Sequence, residues 1–200
     1  MYNYPHKNYR PFSAICDCGF GRKIIYTRQR QITWRNIVDE LNKALAIHRQ
    51  NSTEIEYLDR YYRGDQPILY RKKVNRPEVN NKIAVNLAYE LVERKTADIC
   101  AEPIQYVLRG TDDKKSDEIS WLNAIMDSEN KQECDIDICR WRSICGTAYR
   151  FIGNDEGNGS VLDESDFELS SENPIYTFVV YFPNNKPAFS CQIREDENGQ

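Results

Sequence analysis

From Trp34 onward apolar residues return every three or four positions. Trp34, Ile37, Leu41, Leu45 and His48 fall along one side of a helix that Thr33 is placed to cap. A second helix is predicted over NSTEIEYLDRYYRGD, where Thr53 and Glu56 have capping-box spacing, Ile55, Leu58 and Tyr62 form the inner face, and Gly64 ends the run. A basic loop with two prolines, DQPILYRKKVNRPEVNNK, leads to VNLAYELVERKTADIC, a helix with Asn86 as N-cap and Leu87, Ala88, Leu91 and Val92 on its apolar side. Glu102 precedes Pro103, and a residue before proline is pushed out of the helical region. The helix should therefore stop there and pass into an extended strand, PIQYVL. Ser116 is the expected cap of a further helix with Ile119, Leu122 and Met126 inside and Asp117 and Glu118 in its first turn. From Lys131 to Cys145, Cys134, Ile138, Trp141 and Cys145 mark one face, and Gly146 sits where a left-handed C-terminal cap belongs. TAYRFI alternates as a strand, GNDEGNGS reads as a loop or hairpin turn, and YTFVVYF has the strongest strand character in the chain.

Composition narrows the class. A content of 40% hydrophobic and 12% aromatic residues is that of a globular chain. No stretch approaches the roughly 18 uninterrupted apolar residues of a membrane span, and MYNYPHKNYRPF lacks the apolar centre of an export signal. A cytoplasmic place of assembly is expected. Charge is unevenly divided: residues 1–100 hold 18 Lys/Arg against 11 Asp/Glu, a net +7, and residues 101–200 hold 9 against 20, a net −11. Such a division either favours head-to-tail contact between copies or reflects two solvated faces. Seven cysteines, an odd number, with no export signal read as reduced thiols.

The candidate chemistry is thin. Cys16 and Cys18 with His6 nearby could be half of a metal site, but structural zinc takes four ligands in pairs two to four residues apart. Cys134 and Cys145 share one helix side and Cys139 is turned away from them, so the three thiols do not converge and read as small buried hydrophobes. GFGRK lacks the spacing and flanks of a phosphate-binding loop. His48 reads as a packed helix-face residue, and Asp135 and Asp137, two apart on a helix, point in different directions. The basic YRKKVNR stretch, residues 70–76, is a solvated loop or a sequence-independent phosphate contact. No catalytic, cofactor-binding or metal-binding residue is assigned, no cofactor is expected, and the chain is not read as an enzyme.

The order of segments says more than any one site. Tyr61, Tyr62, Gly64, Ile68 and Leu69, then Asn81, Lys82, Ile83 and Asn86, then Pro103, Ile104 and Tyr106, and last Gly146, Ala148 and Tyr149 follow one another in a set order. In that order the chain resembles the amino-terminal half of the portal proteins of tailed double-stranded DNA bacteriophages, over about residues 55–182. It departs from that family at Ala101 and Glu102, where a glycine is usual before the Pro-Ile segment, and at CDCGFGRK, which has no counterpart there.

The resemblance implies an α+β, wing-like domain of amphipathic helices packed on a small mixed or antiparallel sheet. The expected division is an irregular N-terminal arm over residues 1–30, a helical segment with a basic loop over 31–79, and the wing core over 80–200. Stem, clip and crown are expected beyond Gln200. By the same resemblance the protein is a subunit of a homo-oligomeric ring of about a dozen copies at one capsid vertex. The ring is expected to be the conduit for DNA packaging and ejection, with double-stranded DNA passing non-specifically and no membrane involved. Its implied partners are the major capsid protein, scaffolding protein, terminase and head-tail adaptor. A head-tail adaptor or minor capsid protein, and a small metal-dependent nucleic-acid enzyme using His6, Cys16 and Cys18, are the alternatives.

Overall fold

The computed structural model describes residues 22–72, 74–110, 113–154 and 167–194. They form an α+β fold of four helices, a short 3-10 turn and two small two-stranded sheets. The chain divides into two compact units, one of residues 1–86 with 178–200 and one of residues 87–177.

The first unit is built on α1, Ile37–Tyr62, which at 1.5 Å per residue is roughly 40 Å long. Where two helices were expected there is one. Ser52 and Thr53 do not cap a new helix: both hydroxyls donate back to the Arg49 carbonyl, at 3.2 and 2.9 Å, so the helix passes through them. Its entry is a turn in which the Asn36 and Ile37 amides reach the Thr33 carbonyl, and the Thr33 amide donates to Asn36 Oδ1 at 2.8 Å. Trp34 lies before the helix and is 95% exposed, so the expected stripe does not include it. The buried side runs instead through Glu40, Ala44, His48, Ile55 and Asp59. Gly64, with a φ of +88°, ends the helix as expected, its amide on the Tyr61 carbonyl at 3.1 Å.

Pro67–Tyr70 follow as one 3-10 turn. Two strands complete the unit: β3, Thr177–Tyr181, which starts at the unit boundary, and β4, Pro187–Gln192. They pair with each other, and the chain at Ile25–Thr27 lies parallel to β3, with Thr27 N–H on the Tyr181 carbonyl and Tyr181 N–H on the Ile25 carbonyl, both 2.9 Å. Ile25, Ala44, Phe178 and Val180 form the core, flanked by Leu41, Leu45, Ile47, Phe189 and Cys191. Part of the expected arm is thus built into the fold: Ile25 and Thr27 are buried, while residues 1–21 lie outside the described residues.

The second unit has α4, Lys131–Cys145, at its centre. It packs against α2 (Leu87–Cys100), α3 (Asp113–Ser128), β1 (Tyr149–Asn154) and β2 (Phe167–Glu172). Asn130 and Gly146, both left-handed, bound α4, and the Gly146 amide closes it on the Arg142 carbonyl at 2.8 Å, as the sequence pattern requires. β1 and β2 pair antiparallel from Tyr149 opposite Glu172 to Asn154 opposite Phe167. The GNDEGNGS turn, apart from Gly153 and Asn154 in β1, lies outside the described residues.

Three expectations change in this unit. Helix α3 starts at Asp113, ahead of the proposed cap Ser116, which is inside it. PIQYVL follows the helix stop at Cys100, but it is no strand. In place of a neighbouring strand, the Asn123 side-chain amide meets Tyr106 on both backbone groups: Tyr106 N–H donates to Asn123 Oδ1 and Asn123 Nδ2 donates to the Tyr106 carbonyl, each at 3.0 Å. Lastly, Leu87 and Leu91 do not form the buried face of α2, which is carried by Thr96 and Cys100 with Val92 and Glu93 beside them.

Candidate assembly surface

Helix α2 has a packed side of mixed character and an uncovered apolar side. On its packed side Glu93 Oε1 accepts from Arg140 Nε of α4 at 3.0 Å, and Thr96 and Cys100 are buried. On the opposite side Leu87 and Leu91, one turn apart, are 58% and 67% exposed. Ile104 and Val107 of the extended segment and Trp121 of α3 are also uncovered. Exposed leucines singly are ordinary; Leu87 and Leu91 differ in neighbouring each other on the far side of a packed helix. The first unit carries its own uncovered apolar residues, Ile24 and Tyr26 beside β3, and Trp34 and Val38 at the start of α1.

Several charged residues inside the fold are held in ion pairs and hydrogen bonds, while the buried Thr96 and Thr177 hydroxyls have no hydrogen-bond partner among the described residues. Lys131 is only 7% exposed; its ammonium donates to Asp135 Oδ2 at 2.6 Å and to the Ile104 carbonyl at 3.2 Å, and lies 5.7 Å above the Tyr106 ring. Arg150 of β1 holds the other oxygen of Asp135. Burial pushes the Asp135 carboxyl upward, but Lys131 and Arg150 outweigh it and hold it below the usual carboxylate range. Asp137 takes a separate set of partners, Arg140 Nη1 at 2.6 Å and the Ser171 hydroxyl at 3.2 Å, so the two carboxylates diverge as their spacing predicts.

In the first unit Glu40 accepts from Lys43 at 2.7 Å and from the Thr27 hydroxyl at 2.6 Å, which holds its carboxyl low. Burial raises Asp59, partly offset by Arg63 at 2.9 Å. The Tyr70 phenol donates to Asp65 at 2.6 Å and is pushed up by that carboxylate. His48 is buried and stacked on Phe178, ring centroids 4.6 Å apart, the packing role expected of it.

Cys134 and Cys145 are buried along α4, and Cys139 is half-buried on another side. The reading from spacing missed the partner of Cys139: its sulfur lies 3.1 Å from Cys100 on α2. His6, Cys16 and Cys18 fall outside the described residues, and among the described residues no three His, Cys, Asp or Glu side chains gather as a metal site. In the basic loop Arg71, Lys72, Val74, Asn75 and Arg76 are exposed. No helix among the described residues is long and apolar enough to cross a membrane.

Among the described residues the interior holds paired charges and packed thiols, and apolar side chains of α2, the extended segment and α3 are left uncovered. Residues 41–199 match the sequence model of the family described as "Phage portal protein, SPP1 Gp6-like", and the chain belongs to that family. It is therefore a virion structural protein of a bacteriophage, of the family that builds a homo-oligomeric ring in the capsid. No curated protein matches the chain in a direct comparison.

Proposed function

We propose that this chain forms part of the wall of the portal ring, with the Leu87–Leu91 side of α2 seated on a neighbouring subunit. The ring is the conduit through which DNA enters during packaging and leaves on ejection, and the platform on which terminase and then the tail adaptor dock. The observation that carries the reading is the family match over residues 41–199. The exposed apolar stripe of α2 supports it, because two aligned leucines facing water have a use once covered by another copy. The +7 and −11 halves of the sequence support it too, since a ring repeats one heterologous contact and opposite charge suits that geometry. DNA contact is weak and independent of sequence, because a conduit that gripped phosphates would arrest the strand passing through.

The double substitution Leu87→Asp with Leu91→Asp, in the full-length protein, tests the interface. Both side chains are exposed, so the subunit should keep its circular dichroism spectrum while rings give way to lower oligomers on size-exclusion chromatography with light scattering. Unchanged rings would remove α2 from the interface.

A further inference from the structure

We propose that Cys100 and Cys139 are a thiol modification site that a hydroperoxide converts to an intrachain disulfide joining α2 to α4. The sulfurs stand 3.1 Å apart. A disulfide bond is about 2.05 Å, so closing it needs a movement of only about 1 Å. Cys100 is the last residue of α2, followed by bends at Ala101 and Glu102, where the backbone can adjust without breaking a helical turn. The other cysteines of α4 are engaged elsewhere: Cys145 lies 3.2 Å from the Trp141 and Thr147 carbonyls, and Cys134 is buried on a different side of the helix.

The two thiols have unequal access, which sets the order of the chemistry. Cys139 is half-buried, whereas Cys100 is buried and its thiol is pushed up to about 11, by burial first and by Cys139 second. Cys139 is therefore the sulfur that meets the oxidant. Its thiolate attacks one oxygen of the peroxide, the O–O bond breaks, the other oxygen leaves as hydroxide and takes up a proton, and Cys139 becomes a sulfenic acid. The Cys100 sulfur then attacks the Cys139 sulfur and gives up its proton, and the hydroxyl departs as water. Two S–H bonds are lost, one S–S bond forms, and hydrogen peroxide is reduced to two waters. The product pins α2 to α4 and closes a loop that contains the extended segment and α3.

The test uses the full chain, reduced, then exposed to stoichiometric hydrogen peroxide, alkylated and mapped by peptide mass spectrometry. The expected result is a Cys100–Cys139 linked peptide and a thermal midpoint raised by on the order of 10 °C, both reversed by dithiothreitol. In Cys139→Ser the linked peptide should vanish and Cys100 should alkylate after unfolding; circular dichroism reports whether that variant folds, and the wild-type map stands without it. Sulfinic acid at Cys139 beside a free Cys100, or a bridge between other cysteines, would overturn the proposal.

Discussion

Replacing Asp135 with alanine isolates what the interior charge cluster contributes. In the second unit Lys131 has 7% of its surface exposed and its ammonium rests on Asp135 at 2.6 Å. Removing one member of a buried pair leaves the other charge uncompensated, at a cost of about 3–5 kcal/mol. Here Lys131 keeps the Ile104 carbonyl and the Tyr106 ring, so the lower end, about 3 kcal/mol, is expected. Arg150 also loses a partner, but its side chain is 30% exposed and water replaces the lost contact for about 0.5 kcal/mol. The double variant Lys131→Met with Asp135→Ala removes the stranded cation and should recover roughly half of the loss. Urea unfolding followed by tryptophan fluorescence measures both, since Trp121 and Trp141 lie in this unit. A cost below about 1 kcal/mol for Asp135→Ala, or a double variant no better than the single, would refute the reasoning.

The same variant fixes a pH dependence. Because the native Asp135 carboxyl is held low, its contribution is present in full above the ordinary carboxylate range and disappears as pH falls through the lowered native value. Wild type and Asp135→Ala should therefore converge in stability on acidification.

Other substitutions have equally definite outcomes. Phe178→Ala empties a position 1% exposed in the core of the first unit and should cost about 3–5 kcal/mol by denaturant titration, with hydrogen exchange rising at Thr27 and Tyr181. Thr96 has a buried hydroxyl without a hydrogen-bond partner, so Thr96→Val should be neutral or stabilising by about 1 kcal/mol in the same titration. Gly146, at a φ of +70°, should lose about 1 kcal/mol on conversion to alanine, read as a lower thermal midpoint.

What was legible in the sequence is what local chemistry decides. Gly64 and Gly146 take the left-handed conformation that ends a helix, Glu102 before Pro103 stops α2 near its expected place, and TFVVY is the buried strand its β-branched and aromatic residues suggest. The missed features depend on partners distant in sequence. Thr53 looks like a cap until its hydroxyl is seen on Arg49, and the burial of Glu40 is supported by Thr27, thirteen residues away, together with Lys43. FELSSE has little strand character of its own and pairs because β1 lies beside it, whereas PIQYVL has that character and finds an asparagine side chain in place of a strand. The residues of α2 leave open which side is covered, and the Cys100–Cys139 pair exists only once α2 and α4 are packed. The arrangement of segments across the chain was the more reliable signal, and the family match bears it out.

The central claim is that this protein is a ring-forming portal subunit, and native mass spectrometry of the full-length protein tests it most directly. A closed homo-oligomer of a single subunit number, seen also as rings by negative-stain imaging, is the predicted result. A strictly monomeric protein at the highest concentration it tolerates would contradict it.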